Sequence, residues 1–106
     1  MTTTQEITQV WLNEGLSIGV VQADKTGRYL WSWPIQVEVS GAVEYCQSRA
    51  IWDGGIEFEI KKELPVGSQV RIHRELRKVE PWVDVRIEAA TSNEDGTTIV
   101  EGTFSP

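Results

Sequence analysis

The chain has 106 residues, which is enough for one domain and too few for two, so we expect a single domain over residues 1–106. Its net charge is −6 and it has no basic run, which argues against nucleic acid and against an anionic membrane surface as partners. Its single cysteine, Cys46, excludes an internal disulfide and indicates a reducing compartment.

The first residues predict a short helix rather than a targeting segment. They contain neither a positively charged region nor an apolar stretch, and no later run of about 18 apolar residues occurs, so we expect a cytoplasmic protein without a signal peptide or a membrane span. Thr3 and Glu6 have the spacing of a capping box, and Gly15 would end the helix. Three apolar residues would share one face of it: Ile7, Val10 and Trp11.

Two strands are predicted next, with a turn between them. Leu16–Gln22 alternates loosely, and the following "ADKTGR" contains Gly27, which suits a turn. Tyr29–Val39 alternates clearly, and one face of this strand would carry Trp31, Trp33, Ile35, Val37 and Val39. Because Pro34 has no amide hydrogen, we expect an edge or a bulge at that point.

Residues 40–53 are compatible with a helix or with a strand. A helix would be capped by Ser40 and stopped by the glycines that follow Asp53. Its shared face would carry Val43, Cys46 and Ala50. A strand would instead continue the period of two through Val43 and Tyr45. The stop signals favour the helix.

The second half of the chain predicts four strands in a meander. They cover Ile56–Lys61, Gln69–Leu76, Trp82–Ala90 and Thr97–Phe104. Their short connections, including the hairpin loop "SNEDG", predict antiparallel neighbours with one buried face and one solvated face. The inward residues would be Ile56, Phe58, Ile60, Val70, Ile72, Leu76, Val83, Val85, Ile87 and Ala89. The charges between them have both signs and predict cross-strand pairs on the outer face.

This order of elements resembles the hotdog fold, in which a curved antiparallel sheet wraps a central helix. The segment "WLNEGLSIGVVQADKTGRYLWSWPIQ" is similar to the first helix and opening hairpin of small acyl-CoA thioesterases of the phenylacetate-degradation type. The segment from "GGIEFEIKKELPVGS" to "DGTTIVEGTFSP" is similar to their last four strands. The resemblance implies an α+β fold of about six strands around a short central helix, a homodimer, and an acyl-CoA or another hydrophobic small molecule as ligand.

The chain departs from this family at the catalytic element. The family has an Asn or Asp and a His-Gly-Gly sequence before the central helix, whereas "VSG" precedes "AVEYC" here. The resemblance then implies that the amides of Gly41 and Ala42, at a helix N-terminus, polarise a thioester carbonyl. Glu44, one turn later, would be the catalytic acid or base.

In this interpretation the pocket lies between the central helix and the tryptophan-bearing strand. Its lining residues would be Trp31, Trp33, Tyr45, Trp52 and Asp53. Trp31 and Trp33 have a simpler explanation as core residues, because a strand that faces a core needs large apolar groups. Glu44 and Asp53 would flank the helix, where solvated positions are the simpler explanation for both.

His73 and Cys46 are expected to have no chemical role. His73 lies between Ile72 and Arg74 on a strand, which places it on the solvated face. Cys46 has no His near it in the sequence that could activate it, and it suits a small buried position. One His and one Cys do not make a familiar zinc site, and no phosphate loop is present, so we expect no metal and no cofactor.

Three functions remain open. The first is a hotdog protein that handles acyl thioesters, as a divergent thioesterase or as a binder without activity. The second follows if residues 40–53 are a strand, since the chain could then close into a small all-β barrel that binds or rearranges a hydrophobic ligand. The third is an acidic protein-interaction module, such as an inhibitor or an assembly factor, which suits the net charge of −6 and the incomplete catalytic set.

Overall fold

A computed structural model describes residues 10–11, 21–23, 28–74 and 80–105 of the chain. Within these ranges the alternating segments form eight antiparallel strands. They are β1 (Val21–Ala23), β2 (Tyr29–Trp31), β3 (Pro34–Val39), β4 (Ala42–Trp52), β5 (Gly55–Ile60), β6 (Gln69–Arg74), β7 (Val83–Ser92) and β8 (Thr98–Ser105). Residues 10–11 are helical.

Six of the strands close into a barrel. The hydrogen-bonded order is β4–β3–β6–β7–β8–β5, and β5 pairs again with β4. β1 and β2 form a hairpin, and β2 pairs with the last part of β4, where Tyr29 lies opposite Ile51. The architecture is therefore the small all-β barrel that the sequence allowed as an alternative, and the prediction of an α+β sheet around a central helix is wrong.

The helix predicted over residues 40–53 is wrong because this segment forms the hairpin partner of β3. Ser40 and Gly41 have φ angles of 50° and 85°, and Val39 lies opposite Ala42. Positive φ at both central residues is typical of type I′ turns, whose twist suits two antiparallel strands. β4 then pairs with β3 along its first half and with β2 and β5 along its second half, and these distant contacts decide the conformation.

The predicted strand Tyr29–Val39 is interrupted. β2 ends at Trp31 and β3 starts at Pro34, so the irregularity predicted at this proline is present. Ser48 of β4 connects the two sides of the break. Its hydroxyl accepts a hydrogen bond from the Trp33 amide at 2.8 Å and donates one to the Trp31 carbonyl at 2.6 Å.

The four strands of the second half are present, but they do not form a simple meander. β6, β7 and β8 are sequential neighbours, whereas β5 pairs with β4 and β8. The connection over residues 61–68 therefore crosses one end of the barrel. The meander predicted that β5 pairs with β6, and this is wrong. The eight residues between these two strands are enough to cross the end of the barrel.

The interior of the barrel is apolar, and the outer face carries mixed charges. Every inward residue predicted for β5–β8 that the structure describes is buried, apart from the half-buried Ala89. Cross-strand ion pairs cover the outer face, for example Arg71 with Glu38 at 3.5 Å and Arg49 with Glu59 at 3.2 Å. Among the described residues, no helix has the length and apolar character needed to cross a bilayer.

Several predictions fall outside the described residues. They concern the helix start at Thr3 and Glu6, Ile7, Gly15, the first part of the strand Leu16–Gln22, Gly27 and Leu76. Of the predicted helical face, Trp11 is buried and Val10 is exposed, so these two residues do not share an environment.

Candidate functional site

The tryptophans predicted as a pocket wall form a packed stack inside the barrel. Trp31 lies between Trp11 and Trp33, with ring centroids 5.5 Å and 5.9 Å away and nearly parallel planes. Phe104 meets the Trp11 ring edge-on at 5.3 Å. Both Trp31 and Trp33 are buried against these neighbours, so they act as core in the described structure and do not present an open wall.

A buried ion pair lies next to this stack. Arg74 is fully buried, and its guanidinium forms a two-point contact with the Glu80 carboxylate, with Nε donating to Oε2 at 2.9 Å and Nη2 donating to Oε1. The Arg74 guanidinium carbon lies 5.2 Å from the Trp11 ring centroid and 5.4 Å from that of Trp33. Trp11 Nε1 donates to the same carboxylate at 3.3 Å. The pair therefore fixes Trp11 against the barrel.

His73 is buried, at 7% exposure, so its prediction as a solvated residue is wrong. It does point to the outer face of β6, but the Trp82 ring covers it with a centroid distance of 5.2 Å. Its Nε2 lies 2.9 Å from the Glu80 carbonyl oxygen, which can only accept, so Nε2 carries the proton. This geometry gives His73 a structural role in fixing residue 80.

The structure separates the predicted site residues into four places. Trp31 and Trp33 are in the core, while Gly41 and Ala42 are exposed at the β3–β4 turn. No helix N-terminus is formed at Gly41 and Ala42, so their amides do not have the arrangement that would polarise a thioester. Glu44 and Tyr45 follow on the first half of β4.

Trp52 and Asp53 lie at the opposite end of β4 from Glu44. Asp53 is exposed in the turn to β5, and Trp52 is half-buried. The guanidinium carbon of Arg28 lies 4.2 Å above the Trp52 ring, and the ring covers Gly55, at which an added Cβ would overlap the indole. These contacts give Trp52 a place on the barrel wall, far along the strand from the predicted catalytic Glu44.

A groove opens where β4 and β5 separate. It has a volume of about 460 Å³ and is lined by Pro34, Glu44, Tyr45, Cys46, Gln47, Glu59, Ile60, Lys61 and Thr97. Tyr45 is 71% exposed on its rim, and the neighbouring outward residue Val43 is 42% exposed. Two of the residues predicted from the sequence, Glu44 and Tyr45, are thus brought together here.

Beside this groove, one edge of β4 is left open by the described strands. On that edge the pairing with β5 begins at Gln47, opposite Glu59. Val39 and Ala42 close the two-residue hairpin as a hydrogen-bonded pair. Because the backbone groups of successive residues point to alternate sides of a strand, the amide and carbonyl of Glu44 point to β3. Those of Val43 and Tyr45 point to the open edge. Among the described residues no strand pairs with this part of β4.

The charges of the groove are unevenly compensated. Glu59 pairs with Arg49, whereas no cation among the described residues lies within ion-pair distance of Glu44.

Cys46 lies on the same inward face as Glu44, and desolvation, with a smaller contribution from the Glu44 carboxylate, raises the pKa of its thiol to about 12. The thiol is therefore protonated and a poor nucleophile. It does not have the small buried position predicted for it, because it is only partly buried.

Sequence reasoning missed the open edge and the Arg74–Glu80 pair. The edge had one signal, a Ser-Gly dipeptide between two alternating segments, which predicts a hairpin. Arg74 also had a signal, since it follows the inward parity of Val70 and Ile72. In the part of the chain that the structure describes, no cluster of His, Cys, Asp or Glu is able to hold a metal ion.

Comparison with known proteins bears on the fold. No family model matches the chain, and no curated protein matches it. Among solved structures, the chain is similar to the Bacillus subtilis inhibitor of motility (MotI/DgrA), with a TM-score of 0.60 and 14% identity over 80% of this chain. The chain spans only 44% of that protein. At this identity the likeness is one of fold.

Proposed function

We propose that this chain is a protein-interaction module of the inhibitor type, which binds a partner protein at the open edge of β4. The observation that carries the proposal is the row of backbone groups at Val43 and Tyr45, which point away from β3 and with which no described strand pairs. A strand edge with free amides and carbonyls is a template on which an extended segment can add as a further strand.

The side chains at this edge suit a partner. Tyr45 is 71% exposed and Val43 is 42% exposed, and both lie on the outer side of β4. Tyrosine is enriched in interfaces because its ring supplies apolar area and its hydroxyl supplies a hydrogen bond. An edge of this kind is normally covered, so two apolar residues left on it favour a docking role over a merely solvated surface.

The fold likeness also supports an inhibitor role. One similar solved structure is that of an inhibitor of motility, and the present chain spans less than half of it. An inhibitor needs a binding surface and no catalytic set, which agrees with the protonated thiol of Cys46. The proposals of a thioesterase and of a barrel for a hydrophobic ligand have less support, because the tryptophans that they require as a wall are packed against each other.

Site-specific photo-crosslinking in the native host tests the proposal. A photoreactive residue at Val43 should capture one protein in a one-to-one adduct, and the same residue at Leu30, which is 49% exposed on β2, should not. The adduct should disappear when Tyr45→Pro is added, because proline removes an amide that points to the open edge.

Tyr45→Phe is the matched control, since it keeps the amide and the ring. It should retain the adduct, and thermal unfolding should show that the Tyr45→Pro protein is still folded. Equal adducts from Val43 and Leu30, or an adduct that a folded Tyr45→Pro protein retains, would refute docking at this edge.

A further inference from the structure

The open edge has a shape and a charge that restrict its partner. We infer that it recognises an extended segment of another protein, antiparallel to β4, in which a Lys or Arg stands between two apolar residues. The inference rests on the proposed docking at this edge and adds the identity of the three central side chains. It follows from the register of β4, from the exposure of Val43 and Tyr45, and from the carboxylate of Glu44, which has no cation of the described residues within ion-pair distance.

The added strand would continue the path of β5. β5 runs antiparallel to β4, and its pairing with β4 starts at Gln47, so the open edge begins where β5 leaves off. An antiparallel segment there would exchange hydrogen bonds with Val43 and Tyr45. Glu44 would then face a residue of a non-hydrogen-bonded pair, in which the two Cα atoms are about 4.5 Å apart.

The residue opposite Glu44 points into the groove. Glu44 lies on the inward side of β4 with Cys46, and both residues line the groove. Glu59 already pairs with Arg49 at 3.2 Å, and Lys61, which also lines the groove, does not lie within ion-pair distance of Glu44. Glu44 is therefore the carboxylate that a basic side chain of the partner would meet.

The residues on either side of that basic side chain point outward. They would lie opposite Val43 and Tyr45, which are both exposed on that side. Aromatic and β-branched residues form favourable cross-strand pairs at such positions. The recognised sequence is therefore apolar, then Lys or Arg, then apolar.

A second copy of this chain does not suit the edge. When two copies of β4 pair across a twofold axis so that Val43 and Tyr45 of both copies form hydrogen bonds across it, Val43 faces Tyr45, and this register stays clear of β5, which covers β4 from Gln47 onward. That register places Glu44 directly opposite Glu44 of the other copy, and like charges in directly opposed positions destabilise a sheet. The net charge of −6 adds to this repulsion.

Titration of the labelled protein with short peptides tests the inference by NMR. The probes are two acetylated five-residue peptides that differ only in the centre, Thr-Val-Lys-Val-Thr and Thr-Val-Glu-Val-Thr, which lie opposite residues 42–46 and do not reach Gln47, where β5 begins to pair. The Lys peptide should shift the amide resonances of Val43 and Tyr45 and should bind about fivefold more tightly than the Glu peptide. Glu44→Lys should reverse this preference, while Glu59→Gln should keep it.

Three results would overturn the inference. The first is no binding of either peptide, and the second is a preference that Glu44→Lys does not reverse. The third is a concentration-dependent shift of the Val43 and Tyr45 resonances without peptide, which would show that a second copy occupies the edge. A partner protein could still be crosslinked at Val43 after any of these results. The peptide titration therefore tests the recognised sequence, and the crosslinking experiment separately tests the proposed function.

Discussion

Replacing Arg74 should reveal how much the buried ion pair contributes to the stability of the barrel. The substitution Arg74→Leu leaves the Glu80 carboxylate, which is 18% exposed, without its bidentate partner. Removing one member of a buried pair costs about 3–5 kcal/mol, and the partial exposure of Glu80 points to the lower limit, about 3 kcal/mol. The two contacts with Trp11 and Trp33 add about 0.5 kcal/mol each, which gives a total of about 4 kcal/mol.

The double substitution Arg74→Leu with Glu80→Leu isolates the charge. It loses the ring contacts and the Trp11 hydrogen bond, which together are worth about 2 kcal/mol, but among the described residues it leaves no carboxylate without its partner. The double variant should therefore be more stable than the single Arg74 variant by about 2 kcal/mol.

Urea unfolding followed by circular dichroism measures the free energy of unfolding of both variants. An m value equal to that of the unsubstituted protein shows that the unfolding transitions are comparable. In a domain of this size a loss of about 4 kcal/mol corresponds to a fall in Tm of roughly 16 °C. A loss of less than about 1 kcal/mol in the single variant would show that the buried ion pair does not stabilise the barrel. A double variant that is less stable than the single one would contradict the predicted order of the two variants.

Changes at Cys46 and its neighbour Glu44, at two glycines, and at Ser40 should have distinct effects. Cys46 should react with iodoacetamide at least about tenfold more slowly in the folded protein than in urea. The substitution Glu44→Gln should speed the reaction of the folded protein, because the neighbouring carboxylate raises the pKa of the thiol. A reaction rate that Glu44→Gln leaves unchanged would contradict this. Since the thiol pKa rises from 9.0 to about 12 on folding, the unfolded chain releases this proton first, and stability should fall as pH rises between these values, a slope that Cys46→Ala should reduce. Gly102→Ala should destabilise the protein more than Gly55→Ala. The added Cβ at Gly102 overlaps the fully buried Val85 and lies 3.2 Å from the Arg86 carbonyl oxygen, whereas its nearest neighbours at Gly55 are atoms of the half-buried Trp52 indole, which can move towards solvent; equal Tm values would contradict this. Ser40→Gly should stabilise the protein by about 0.5 kcal/mol and Ser40→Val should destabilise it, since φ at this position is 50°, and thermal unfolding of the two variants measures the difference.

The sequence predicted the strands better than it predicted their neighbours. The period of two placed Ile56, Phe58 and Ile60 inward, and all three are buried on β5. The period does not reveal that β5 pairs with β4 and β8, because strand order depends on contacts between distant segments.

The site was less predictable than the fold because its features depend on what covers each face. His73 does lie on the outer side of β6, but Trp82 covers it, and no local pattern announces that contact. Arg74 was placed with the outer charges although its parity is inward, since a buried arginine needs a partner such as Glu80 that sequence spacing does not show. Glu44 and Tyr45 were predicted as site residues for a helix, and the groove brings them together for a different geometric reason.

Glu44 gives the open edge of β4 its selectivity. Proteins keep exposed strand edges from pairing with copies of themselves by short edges and inward-pointing charges, and this edge has both features. It offers the backbone groups of only two residues, Val43 and Tyr45, and the carboxylate between them would oppose itself in a symmetric pair. The same carboxylate attracts a strand with a basic residue at that position. A two-residue edge provides too few hydrogen bonds to hold a strand whose central side chain is repelled. The Glu44 carboxylate can therefore discourage self-association and favour a partner with a basic residue at that position.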